Sequence, residues 1–95
     1  MANQDFRFIG IVEIFDRPGG WYFISVPADL SEELKDLADR GLIPVRATIG
    51  SSSWDTSLLP MGDGTHFIAL NSAVRRSENI DLGDRTALRF LPREP

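Results

Sequence analysis

Residues 20–42 read GWYFISVPADLSEELKDLADRGL, and the hydrophobic period changes partway along that stretch. Trp21-Tyr22-Phe23-Ile24-Ser25-Val26 is a β-prone run whose side chains alternate between a Trp21/Phe23/Ser25 set and a Tyr22/Ile24/Val26 set. Pro27 closes the strand. Beyond it Leu30, Leu34, Leu37 and Ala38 recur at helical spacing and mark one face of a helix. The Ser31-Glu32-Glu33 segment carries a capping pattern, and Asp29 offers a cap two positions earlier. Gly41 suits a left-handed C-cap. The acidic residues Glu32, Glu33 and Asp36 lie toward the helix start and Arg40 at its end, as the helix dipole favours. A single helix inserted behind a strand is therefore the first architectural element of the chain.

On either side of this stretch the pattern is strand-like. Phe6 to Phe15 forms a long first strand, with a bend expected near Gly10, where the missing side chain permits a bulge. Asp16-Arg17-Pro18-Gly19-Gly20 makes the hairpin turn into the Trp21 strand. After the helix, Val45–Ile49, Trp54–Leu59, Thr65–Leu70 and Thr86–Leu91 supply four further β segments, separated by turns at Gly50–Ser53, Met61–Gly64 and Asn79–Arg85. Asn71 caps a short helical turn through Arg76. Six β segments, one inserted helix and one short helical turn predict a mainly β fold, a small six-stranded closed barrel, because closure removes sheet edges that short strands would leave exposed. An open α+β sheet is the competing architecture, and a homodimer would complete a barrel equally well. The expected core holds Phe8, Phe23, Ile24, Ile49, Phe67, Leu88 and Phe90, with Trp21 also inside. Adjacent Phe23 and Ile24 face opposite sides of an ideal strand, so burying both requires a bulge or an outer cover.

Composition narrows the functional classes. The 95 residues accommodate one small domain spanning 1–95. Apolar residues come in short blocks, with no run long enough for a membrane span or a secretory signal, and a cytoplasmic location is expected. The net charge of −4 argues against nucleic acid and anionic lipid as partners. With no cysteine and one histidine, thiolate sites and multi-histidine metal centres are excluded within one chain.

Gly19-Gly20-Trp21-Tyr22-Phe23-Ile24-Ser25-Val26-Pro27, Val45-Arg46-Ala47-Thr48-Ile49-Gly50, His66-Phe67-Ile68-Ala69-Leu70-Asn71, Val74-Arg75-Arg76 and Leu82-Gly83-Asp84-Arg85 occur in that order behind the first strand. Together they resemble the domain of unknown function 1905 family over residues 6–91. The resemblance implies a small six-stranded barrel similar to double-psi barrels and brings no reaction, cofactor or catalytic set with it. Gly50-Ser51-Ser52-Ser53 departs from the family's compact glycine turn.

The chemical inventory points to recognition more than to catalysis. His66 has the pKa range of a general base, but no Ser-His-Asp spacing surrounds it, and a structural histidine is the plainer reading. Asp63 and Asp84 sit beside glycines, where carboxylates cap turn amides. Arg46 alternates with the core candidates Val45 and Ala47. Arg75 and Arg76 diverge on one helical turn, so one faces the barrel and the other solvent. Arg46, His66, Arg75 and Arg76 are accordingly the ligand-binding candidates, and Tyr22 and Trp54 the interaction-surface candidates. No phosphate-loop motif, catalytic residue, metal ligand or cofactor is assigned. The leading reading is a barrel that binds a small polar or anionic molecule or a peptide; the alternative is a structural or protein–protein interaction module, with an enzyme or a nucleic-acid-binding protein behind both.

Overall fold

A computed structural model describes residues 5–16, 20–38 and 40–93. The Arg17–Gly19 part of the expected hairpin turn, and Asp39 at the expected helix end, lie outside the described residues. The described strands are β1 (Phe6–Ile11), β2 (Glu13–Ile14), β3 (Tyr22–Ser25), β4 (Ile43–Ile49), β5 (Ser52–Pro60), β6 (His66–Leu70) and β7 (Arg85–Pro92). Helix α1 (Ala28–Leu34) continues into a 3-10 turn at Lys35–Leu37, and helix α2 (Ser72–Ser77) precedes β7.

The strands lie in the order β1-β7-β4-β5-β6-β3-β2, and every described pairing is antiparallel. The two outermost members of that order are consecutive in the chain and are separated only by Val12. The sheet therefore curls back to its own start, forming a small, nearly closed barrel consistent with the double-psi-like fold that the resemblance implies. The expected count was six; the described residues form seven strands because the first run divides at Val12, where the chain leaves β7 and joins β3.

Val12 makes that transfer with both backbone groups occupied. Its N–H donates to the Asp84 carbonyl at 3.0 Å, and its carbonyl accepts the Gly83 N–H at 2.9 Å. The bend thus falls two residues after Gly10, whose pairing with Thr86 is still regular. Gly10 serves another purpose: a Cβ there would run into Ile24 Cγ2, so its bareness lets β1 lie across β3.

Alternation places Ile24, Val45, Ala47, Ile49, Leu58, Ile68, Leu88 and Phe90 in one core, with Phe8, Tyr22 and Trp54 packed against it. Phe23 and Phe67 are also buried, but on the other side of their strands. With Phe15 they form a separate aromatic cluster, stacked at 4.0 Å between Phe15 and Phe23 and edge-on at 5.0 Å between Phe15 and Phe67. An outer cover, and not a bulge, reconciles Phe23 with Ile24. Trp21 is a correction: it is 58% exposed, because it follows the outward parity at the start of the strand.

The turns show why the polar residues between the strands occur where they do. Helix α1 begins after Pro27 with no side-chain cap, so neither Ser31 nor Asp29 has the expected role. Asn71 does cap α2, its side-chain oxygen accepting the Val74 N–H at 2.8 Å. Ser51 and Ser52 donate to the Glu78 carboxylate at 3.4 and 2.5 Å, so the unusual serine turn anchors the C-terminal end of α2. Asp84 accepts the Asp81 N–H at 2.8 Å, and Asp63 accepts the Thr65 N–H at 2.9 Å, as expected of turn carboxylates. Donation from the Thr65 hydroxyl, and then from its N–H, holds the Asp63 carboxyl below the ordinary carboxylate range.

Two glycine substitutions separate packing from backbone strain. Gly83 has φ +89° with nothing within 4 Å of an added Cβ, so Gly83→Ala should cost only the left-handed conformation, about 1–2 kcal/mol. Gly10→Ala drives a methyl into a fully buried, β-branched neighbour and should cost at least as much again by overpacking, about 1–3 kcal/mol. Urea unfolding of both variants checks the ranking, and a Gly10→Ala protein as stable as wild type would contradict the close crossing. For Asp63, a depressed pKa contributes stability above the unfolded value of about 3.9 that is lost as pH falls through the folded value. The difference in urea midpoint between wild type and Asp63→Asn should hold from neutral pH down to about 5 and close below about 4.

Candidate binding groove at the seam between two strands

β5 is paired with β4 from Ser52 to Leu58, yet its ladder with β6 covers only Leu59↔Phe67 and Pro60↔His66. The two strands are joined at one end and part toward the other. Along that seam a groove of about 320 Å³ opens, lined by Trp21 and Tyr22 of the third-strand region, Trp54 to Thr56 of β5 and Ala69 to Asn71 at the end of β6. Tyr22 shares parity with Ile24, and Trp54 lies opposite the core residue Ala47 in the β4–β5 register. Both rings therefore point toward the interior, where they pack against the core while their outer edges reach the groove. Strand parity makes them its floor, and the missing ladder makes the floor accessible.

Arginines gather around the aromatic residues. Arg75 of α2 lays its guanidinium over the Tyr22 ring, with Cζ 3.9 Å from the centroid, and its Nε donates to the Leu70 carbonyl at 3.3 Å. Cation–π attraction and the backbone bond together orient the side chain. Arg46 pairs with Asp55 at 3.1 Å, and Arg93 Nε approaches the same carboxylate at 3.8 Å. Arg93 also donates to the Val45 carbonyl at 2.9 Å and to the Thr56 carbonyl at 3.0 Å, which fixes it across the outer face of β4 and β5. Asp55 is the charged residue among those lining the groove, and the guanidiniums of Arg46 and Arg93 both approach it.

Of the sequence candidates, Tyr22 and Trp54 line the groove, Arg75 lies over Tyr22, and Arg46 reaches the groove only through its pair with Asp55. Arg76 is exposed in the last turn of α2. His66 lies at the joined end of β6, roughly 13 Å along the strand from Leu70 at the usual rise. It is 7% exposed, its N–H donates to Ser31 Oγ at 3.1 Å, and its carbonyl accepts the Val26 N–H at 2.9 Å. Its Nδ1 is buried with no hydrogen-bond partner among the described residues. Ser31, read from sequence as a helix cap, is instead a buried acceptor that ties α1 to β6. Asp55 and Asn71 escaped the sequence reading as groove residues, and Arg93 as a partner of Asp55. Only Asp55 had a local signal, a charge opposite to Arg46 once the two strands are set in register.

Residues 8–90 match the model of the family described as domain of unknown function (DUF1905). The chain belongs to that family. No curated protein matched it. Within this DUF1905 domain, no helix among the described residues is long and apolar enough to cross a membrane, and no group of three or more His, Cys, Asp or Glu side chains is arranged to hold a metal ion.

The ion pair and the buried hydroxyl should respond differently to truncation. Arg46 and Asp55 are about half exposed, so Arg46→Ala should change stability by no more than about 1 kcal/mol. Ser31→Ala strands the buried His66 N–H and should cost about 1–3 kcal/mol. Chemical denaturation of the two variants tests this order, and a larger loss for Arg46→Ala would mean the arginine has a structural role beyond its exposed pair.

Proposed function

We propose that this DUF1905 domain is a binding module whose ligand, a polar or anionic molecule or a peptide, occupies the groove between β5 and β6. The observation that carries the proposal is the convergence of Tyr22, Trp54 and Arg75 at the part of the barrel wall where the β5–β6 ladder has stopped. Aromatic walls with a few placed polar groups are the usual make-up of a ligand cleft. A guanidinium held flat on a tyrosine presents its remaining N–H groups to an acidic partner in a fixed plane. Counted as one bent strand, β1 and β2 make this a six-stranded barrel, and a ligand in the seam would complete its wall.

The chain has two tryptophans, and both line the groove, so intrinsic fluorescence reports directly on its occupancy. Titration with a panel of small carboxylates, phosphates and short peptides should yield at least one compound that shifts or quenches the emission. Trp54→Ala and Arg75→Ala should weaken that compound at least about tenfold, equivalent to about 1.4 kcal/mol, while the folded state persists in thermal unfolding. Arg76→Ala, whose side chain lies away from the groove, should leave the affinity unchanged. A panel with no binder, or affinity losses that follow unfolding in every variant, would remove the proposal.

A further inference from the structure

Backbone parity shows what the seam leaves unpaired. The Arg93 N–H donates to the Pro44 carbonyl at 2.8 Å, which turns Pro44, Arg46 and Thr48 toward β7 and the alternate residues of β4 toward β5. In the β4–β5 register, Val45 lies opposite Thr56 and Ala47 opposite Trp54, so Trp54 and Thr56 direct their backbone groups to β4. Asp55 and Ser57 must then direct theirs into the seam. On the other strand, the Val26 N–H donates to the His66 carbonyl at 2.9 Å, which turns the even-numbered residues of β6 toward β3 and Ala69 toward the seam. Continuing the β5–β6 register would set Ser57 opposite Ala69, but that pair is not made. Among the described residues, no ladder pair joins Asp55 or Ser57 of β5 to Ala69 of β6. A stretch of strand whose second side carries no ladder is an edge on which another strand can assemble.

We propose that the groove's occupant is an extended peptide that adds as a strand along the Asp55–Ser57 edge of β5, directs an apolar or aromatic side chain between Tyr22 and Trp54, and sets a carboxylate against Arg75. This rests on the binding reading above and specifies its ligand. Main-chain hydrogen bonds supply affinity in strand addition, and alternate side chains entering pockets supply selectivity. The alternation fits the site, since every second residue of an added strand faces the aromatic floor. Charge complementarity selects the acidic group: Arg46 and Arg93 share Asp55, whereas Arg75 stacks on Tyr22 with no carboxylate partner among the described residues, so Arg75 is the cation placed to pair at the wide end of the seam.

The test uses a displayed library of random octapeptides panned against the full chain, followed by synthesis of the selected sequences. The expected consensus alternates β-branched or aromatic residues with polar ones and carries an aspartate, a glutamate or a free C-terminus at one end. Hydrogen exchange should slow at the Asp55 and Ser57 amides on binding. Methylating alternate peptide nitrogens, which deletes donors at constant charge, should weaken binding at least about tenfold in one of the two phases. Ser57→Pro, which removes a seam-facing donor from β5, should act similarly, with thermal unfolding to verify its fold; the methylated peptides give the answer if that variant does not fold. Selected peptides that bind with no slowing at Asp55 and Ser57, or that tolerate methylation in both phases, would overturn strand addition. A library with no binder, beside a small carboxylate that still quenches the groove tryptophans, would overturn it too while leaving the binding function standing.

Discussion

The structure depends on a single chain segment pairing at both ends of one sheet. Residues 6–11 lie on β7 and residues 13–14 lie on β3, so the nearly closed barrel is brought back on itself by the covalent continuity of its first strand. Two local conditions make the crossing possible. Gly10 must lack a side chain for β1 to pass Ile24, and Val12 must find hydrogen-bond partners at the point where it has left one ladder and not yet joined the next. The turn before β7 provides them through Gly83 and Asp84. Because an unpaired, buried backbone group is costly, the residues of that turn are coupled to a bend more than seventy positions earlier in the chain.

Closure at the first strand leaves the β5–β6 boundary as the place where the barrel wall is incomplete. β4 and β5 share a long, continuous ladder, and β6 follows β3 along its whole length. Each of the two partnerships is regular, but β5 and β6 belong to different ones and stay together only beside their connecting turn. Asp63 and Thr65 secure that turn. Farther along, Tyr22 and Trp54 occupy interior positions beside the gap and shield the core, since an open seam without large rings behind it would expose Ile68 and Leu70.

The electrostatic arrangement is equally local. Acidic residues Asp29, Glu32, Glu33 and Asp36 occupy the α1 region, whereas Arg46 and Arg93 meet at Asp55 and Arg75 lies over Tyr22. A chain with a negative total charge therefore still gathers guanidiniums locally, around Asp55 and over Tyr22. Arg75 also shows how one side chain can serve two purposes. Its cation–π contact with Tyr22 stabilises the ring's position, and the same contact, with the Nε bond to the Leu70 carbonyl, orients the guanidinium.

Several elements were legible in the sequence because the forces that form them act over a few residues. The alternation through Val45–Ile49 and Thr86–Leu91, the Asn71 cap and the turn carboxylates of Asp63 and Asp84 all follow from steric preference and short-range hydrogen bonding. The candidate pair Tyr22 and Trp54 and the arginines Arg46 and Arg75 were also recognisable as side chains that a core alone does not explain. Their meeting was not, because it depends on which strands share ladders. Ser31 was misread for a related reason: its hydroxyl meets a backbone N–H thirty-five residues away, while local pattern allows only a cap. Phe23 and Ile24 both read as core, and only the outer cluster with Phe15 and Phe67 assigns them to opposite faces. The sequence by itself determined the segments, their turns and their alternation, since these are properties of neighbouring residues. Tertiary structure alone decided where the ring closes and where it parts, because strand partnership is a competition among distant segments that no local pattern encodes.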